Sequence, residues 1–281
     1  MAVTTTLAEL DADYDVLLFD AYGVLVDLSG PRPGAARWLE DFERRGRPWL
    51  IVTNDASRRP ERTAERYRGF GLPVRPEHVV SSGSLLPGWF EREELAGART
   101  CVLGPEDSAS LARDGGAEVV PHGEDFEVLV IADEAGYPLL SGLDDTLGAL
   151  LRRIDRGDPV RLVLPNPDLI YPKSERDFGF ASGSLALMFE AALRRRYGAR
   201  PELAFEALGK PESPIFEEAR RRTGGGRTVM VGDQLETDIA GARRFGWDAV
   251  LVAGGVASGH DSAEDAVDPE LGPTALLTSL E

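Results

Sequence analysis

Three uninterrupted apolar runs, Val16 to Phe19, Leu50 to Val52 and Val229 to Val231, each stop at polar or flexible residues: Asp20, then Thr53 with Asn54, then Gly232 with Asp233. Val/Ile/Leu runs of this length suit strands covered on both faces, as in a parallel sheet, whose ligands bind beyond the carboxyl ends of the strands. The pattern predicts that distant polar side chains gather at one sheet edge. Helical spacing follows these strands. Ala36, Leu39 and Phe42 form one stripe after Pro33 and Gly34, ended by Gly46. Thr63, Ala64, Tyr67 and Phe70 form a second behind Pro60, with Asp55 or Ser57 as cap and Gly71 at its end. Ile239, Ala242 and Phe245, closed by Gly246, form a third, and Ala249 to Ala253 reads as a further strand. Strand and helix alternate, as in an α/β layer architecture.

The middle of the chain predicts a second, smaller α/β unit. Thr100 to Leu103, Val128 to Ala132 and Arg161 to Leu164 read as strands, and Asp107 to Arg113 and Asp144 to Arg153 as helices. Gly-rich or irregular sequence near Gly97 and Ala204 sets its edges, giving a core of 1–97 and 205–281 around an insert of 98–204. Pro165, Pro167 and Pro172 mark an extended loop within the insert.

A length of 281 residues is enough for about two domains. With 31 basic against 48 acidic side chains the net charge is −17, which repels nucleic acid and anionic membranes. A small phosphorylated ligand would be repelled as well, so its site needs local positive charge from a metal, a lysine or a helix N-terminus. No apolar run approaches the roughly 18 residues of a membrane span, and Met1 to Asp13 has no basic or apolar leader pattern. The expected setting is the cytoplasm. Cys101, the single cysteine, reads as a core position.

Taken in order, the polar residues at the strand ends resemble the four motifs of the haloacid dehalogenase (HAD) superfamily. Asp20-Ala21-Tyr22-Gly23-Val24 is similar to the first, Thr53-Asn54 to the second, Lys210 in Gly209-Lys210-Pro211 to the third, and Gly232-Asp233 through Thr237-Asp238 to the fourth. The Gly-Lys-Pro and Thr-Asp forms, with a long segment between the second and third motifs, resemble subfamily IIA, the NagD-type phosphatases. Asn166-Pro167-Asp168 and the Ser182-Gly183-Ser184 helix start resemble that subfamily's cap. The resemblance implies a Rossmann-like core with an inserted α/β cap that closes over the site and chooses the substrate.

It also implies a chemistry. Asp20 would attack phosphorus and become an aspartyl-phosphate that water hydrolyses, which splits one hard step into two. Mg²⁺ would be held by Asp20, the carbonyl of Tyr22 and Asp233, with Asp238 holding a metal-bound water or Lys210. Lys210 and Thr53 would stabilise the phosphoryl oxygens, and Asn54 would position nucleophile or substrate. Asp55 and Asp168 are further substrate-binding candidates. The implied partner is a small phosphorylated metabolite, and by analogy two copies pair through the cap.

One departure stands out: phosphatases of this superfamily carry a second Asp two residues after the nucleophile, where this chain has Tyr22. A phenol with an ordinary pKa near 10 stays protonated at neutral pH, so it can donate a proton but not activate water. Losing a general acid/base costs ~10² to 10⁴ in rate, so slowed turnover is expected. Asp-Ala-Tyr-Gly also resembles the 2-haloacid dehalogenases, in which the Asp attacks carbon without a metal. A third reading is a silent HAD fold that binds a phosphorylated ligand or a protein. The Gly-Lys-Pro segment and the Gly232 to Asp238 pattern favour the phosphatase.

Each residue alone has a plainer reading. Asp20 could be a solvated strand end, Asp55 and Asp238 could cap helices, and Lys210 could be a surface lysine. Their order at successive strand ends favours a site. His78, His122 and His260 lack ligand spacing. Arg194 to Arg196 reads as a solvated helix end, Asp261 to Asp265 as solvated surface, and Gly254-Gly255 as a turn.

Overall fold

The structure is a computed structural model describing residues 3–174, 177–253 and 271–281. Gly254, Gly255, His260 and the acidic stretch 261–265 lie outside the described residues. The chain divides into two compact units. One comprises Met1–Thr53, Pro60–Val80 and Lys210–Glu281, and the other Asn54–Arg59 and Ser81–Gly209.

A seven-stranded sheet organises the first unit, in the order Val3–Thr5, Ala275–Leu277, Asp248–Val252, Thr228–Gly232, Val16–Phe19, Trp49–Thr53, Val79–Ser81. From Val3–Thr5 across to Trp49–Thr53 the pairings are parallel. Every residue of Val16–Phe19, Trp49–Thr53 and Thr228–Gly232 is buried, which is why the sequence shows unbroken apolar runs there rather than alternation. The chain leaves Val16–Phe19 toward Trp49–Thr53 on one side and Thr228–Gly232 toward Asp248–Val252 on the other. That reversal is a topological switch point, the place where open α/β sheets bind their ligands. Phe19 stands in register with Val231, and the Asp20 N–H donates to the Val231 carbonyl at 2.9 Å. Asp20 and Asp233 therefore emerge from adjacent strand ends.

Helices cover this sheet as their spacing predicts. Ala35–Arg45 buries Ala35, Leu39 and Phe42 and ends at Gly46 with φ 64°, the left-handed cap that glycine adopts without a Cβ penalty. Pro60–Gly69 buries Thr63, Ala64 and Tyr67. The third helix differs from expectation. It opens with a wide i→i+5 turn, Leu235–Ile239, before Ala240–Arg244.

The second unit has a five-stranded parallel sheet ordered Glu206–Ala207, Arg161–Leu164, Val128–Ile131, Arg99–Leu103, Glu118–Val120. Cys101, Leu103, Leu129, Ile131, Leu162 and Leu164 pack on one face, and Val102, Val128, Val130 and Val163 on the other, as the period of a strand requires. The unit is wider than the expected 98–204. The helix Leu86–Arg92 brings Trp89 and Phe90 into the Val102, Val128 and Val130 cluster, and Glu206–Ala207 pairs with Val163 and Leu164. Gly97 is a turn inside this unit, its N–H donating to the Gly116 carbonyl at 2.8 Å. Part of the proline-rich loop is a hairpin, with Ile170–Pro172 antiparallel to Phe178–Phe180. Burial pushes the Cys101 thiol up to about 11, in keeping with a packing role. Among the described residues no helix is long and apolar enough to cross a membrane.

Candidate active site

Beyond the switch point of the first unit, carboxylate oxygens of Asp20, Asp233 and Asp238 lie within 4.8 Å of one another, and all three residues are buried. Lys210 stands among them. Its ammonium donates to Asp20 Oδ1 at 2.6 Å, to Asp238 Oδ1 at 2.6 Å and to the Val52 carbonyl at 2.9 Å. The other oxygen of Asp238 accepts from the backbone N–H groups of Asp233 and Gln234, both at 3.1 Å. Asp238 thus ties the end of the Thr228–Gly232 strand to the lysine, and the wide turn at Leu235–Ile239 is what returns its side chain to that strand end.

Two glycines make the approach possible. A Cβ on Gly232 would overlap the Asp238 side chain. One on Gly23 would overlap the Asp233 carboxylate, and Gly23 also has φ +85°, a conformation that side chains disfavour. The loop after Asp20 is thereby pressed against Asp233.

Electrostatics here is dominated by desolvation. Burial raises the Asp20 carboxyl well above the ordinary carboxylate range, Lys210 opposes this, and the charges of Asp238 and Asp233 add to it. For Lys210, burial works against the ammonium, but Asp20 and Asp238 outweigh it and hold the group above the usual lysine value. Three buried carboxylates against one ammonium leave an excess of negative charge in low dielectric, which a divalent cation would balance. The oxygen-only donor set suits a hard cation such as Mg²⁺ or Ca²⁺.

Tyr22 is half-buried against the core. Burial pushes its hydroxyl up from the ordinary tyrosine value, Asp27 adds to this, the Leu28 N–H opposes it, and Asp233 adds a smaller push. Thr53 is buried at its strand end, one residue beyond the carbonyl that Lys210 grips.

The remaining predicted residues belong to the second unit. Asn54 Nδ2 donates to Asp168 Oδ1 at 2.8 Å, so these two meet. Asp55 Oδ1 accepts from the backbone N–H and hydroxyl of Ser57 at 2.8 and 2.6 Å, and Oδ2 meets Arg58 at 3.2 Å. These contacts form a local turn. His78 pairs with Glu43 at 3.2 Å and stacks on Trp49, away from any carboxylate cluster. Sequence reasoning missed the Val52 carbonyl, the two N–H groups that hold Asp238, and Ser82, whose hydroxyl donates to the Asn54 carbonyl at 2.8 Å. Backbone partners leave no mark in side-chain identity. Ser82 follows the short Val79-Val80 run but has no distinguishing spacing.

The chain is similar to known proteins in sequence and in fold. The pattern described as haloacid dehalogenase-like hydrolase matches residues 17–118, and an HAD-hydrolase-like pattern matches 207–281. The chain is 28% identical to a 5'-nucleotidase of Bacillus subtilis over 88% of this chain and 93% of that one. A crystal structure of a possible sugar phosphatase from Cytophaga hutchinsonii superposes with a TM-score of 0.82 at 28% identity, covering 100% of this chain and 99% of that one. That of a glycerol phosphate phosphatase from Mycobacterium tuberculosis in complex with calcium does so with 0.76 at 28% identity, covering 96% and 75%. With the fold, the motif order and these likenesses in agreement, the chain belongs to the haloacid dehalogenase superfamily of hydrolases, in the NagD-type subfamily IIA.

Proposed function

We propose that the protein is a divalent-metal-dependent phosphatase of small phosphomonoesters, working through an aspartyl-phosphate on Asp20. The observation that carries this reading is the meeting of the buried Asp20, Asp233 and Asp238 around Lys210, with an excess of negative charge. Likeness to a 5'-nucleotidase, a possible sugar phosphatase and a glycerol phosphate phosphatase supports the same substrate class.

Asp20, Asp233 and the carbonyl of Tyr22 are the proposed ligands of a Mg²⁺ ion, which would neutralise phosphoryl oxygens and orient them toward the nucleophile. An oxygen of Asp20 attacks phosphorus, the ester P–O bond breaks, and the leaving alkoxide takes a proton from the Tyr22 hydroxyl or from water. Water then attacks phosphorus, the bond between phosphorus and the Asp20 oxygen breaks, and the Asp20 carboxylate and hydrogen phosphate are released, one water proton staying on the phosphate and the other replacing the proton given to the leaving group. Lys210, fixed by Asp238 and Val52, supplies positive charge beside the reacting oxygen, and Thr53 donates to the phosphoryl group. Asp238 acts here mainly as the support of Lys210. Asn54 and Asp55 remain proposed contributors to substrate binding. Exposed Ile170, Phe180, Leu187 and Met188 in the second unit support the expected pairing of two copies.

Hydrolysis of p-nitrophenyl phosphate with and without Mg²⁺, alongside chloride release from 2-chloropropionate, tests this reading. Metal-dependent nitrophenol release that disappears in Asp20→Asn is the expected result. Metal-independent chloride release would mark a dehalogenase instead, and neither product, with stabilisation by phosphate, a binding protein.

A further inference from the structure

We propose that Asp168 is a positioning residue, which acts through Asn54 and Gly209 to fix the two chain segments that carry Thr53 and Lys210. Asn54 sits at the centre of a clamp inside the second unit. Its Nδ2 donates to Asp168 Oδ1 at 2.8 Å, and its carbonyl accepts from the buried Ser82 hydroxyl at 2.8 Å. A Cβ built on Gly209 would come to 2.5 Å from Asn54 Oδ1, 2.7 Å from the Pro165 carbonyl and 2.9 Å from Pro167 Cδ. The Gly209 backbone is therefore pressed against the same side-chain amide, and only glycine fits.

Asp168 is itself held on two sides. Its N–H donates to Asn166 Oδ1 at 2.9 Å, and its carbonyl accepts from the Gly183 N–H at 2.9 Å. The acceptor is a carboxylate, which strengthens its bond to the Asn54 amide. All these contacts lie within the second unit, yet the two residues gripped, Asn54 and Gly209, are each one peptide bond from a residue of the first unit, Thr53 and Lys210. The restraint is thus passed on covalently. Lys210 must meet three acceptors at 2.6, 2.6 and 2.9 Å at once, which leaves little tolerance for a shift of its backbone.

This inference rests on the phosphatase reading of Lys210 and Thr53 and gives Asp168 a role other than touching substrate. The test uses Asp168→Ala, Asp168→Asn and Gly209→Ala in the full chain, assayed with p-nitrophenyl phosphate and Mg²⁺, together with hydrogen exchange across 50–56 and 207–213. A misplacement of about 1 Å can cost ~10² in rate, so Asp168→Ala and Gly209→Ala should lower kcat ~10- to 100-fold with little change in KM. Asp168→Asn keeps a carbonyl oxygen that can accept from Asn54 and should rescue most of the loss. Exchange in both segments should quicken in Asp168→Ala and return toward wild type in Asp168→Asn. A raised KM without rescue by Asn would overturn the proposal in favour of a substrate contact, and unchanged exchange in those segments would overturn it outright. Should the wild type hydrolyse nothing, the phosphatase reading falls. The exchange result then decides by itself whether the clamp exists.

Discussion

Replacing Tyr22 by Asp tests the departure from the family pattern. At pH 7 a phenol of ordinary pKa is ionised in about one molecule in a thousand. Burial and the charges of Asp27 and Asp233 reduce that fraction further for Tyr22. It is therefore a very poor base for activating water, although its proton remains available to a leaving group. Breakdown of the aspartyl-phosphate should then be the slow step, lagging by ~10² to 10⁴, equivalent to about 3–5 kcal/mol of barrier. Rapid-mixing kinetics with p-nitrophenyl phosphate should show a burst of nitrophenol near one equivalent, followed by slow steady release. In Tyr22→Asp the same neighbours, Asp27 and Asp233, would raise the new carboxyl toward the working range of an acid/base. Steady turnover should rise ~10²-fold and the burst should vanish. The ring's packing against the core is lost as well, so the free energy of unfolding should fall by on the order of 1 kcal/mol. A variant that folds and binds Mg²⁺ yet is no faster than wild type would refute this reasoning.

Two further substitutions probe other parts of the account. Gly23→Ala puts a Cβ into the Asp233 carboxylate at φ +85°, so Mg²⁺ affinity should fall at least ~10-fold, read by calorimetry; unchanged affinity would mean the loop does not need its close approach. Asp133 is raised to about 6 by burial and by Glu134. The folded protein then binds its proton more tightly than the unfolded chain, so this group's contribution to stability falls as pH rises from about 4 to about 6. Asp133→Asn should accordingly stabilise by on the order of 1 kcal/mol at pH 7, after allowance for partial exposure, with the gain gone below pH 4 in urea unfolding. A gain that is the same at both pH values would contradict it.

Much of this was legible in the sequence because burial on both faces writes itself as unbroken apolar runs. Val16–Phe19 and Arg161–Leu164 fall where those runs fall, and Asp20, Lys210, Asp233 and Asp238 do assemble. Subfamily membership was legible from Gly209-Lys210-Pro211 and the Asp233 to Asp238 spacing. The edges of the second unit were not, because they depend on which surface a segment packs against. Leu86–Arg92 reads as an ordinary amphipathic turn until Trp89 and Phe90 are seen among Val102 and Val128. Gly97 marks a turn, and a turn inside a unit looks the same in sequence as one between units. The wide turn at Leu235–Ile239 has no periodic signature, so the return of Asp238 onto its own strand end was out of reach. So was the double use of Asn54, whose partners Ser82, Asp168 and Gly209 are remote or glycine.

Calorimetric titration of the full chain with Mg²⁺ tests most directly whether Asp20 and Asp233 share a cation. A single saturable site in the wild type, lost in both Asp20→Asn and Asp233→Asn while each variant still melts cooperatively, is the predicted result. Undiminished Mg²⁺ binding in Asp233→Asn would contradict the account.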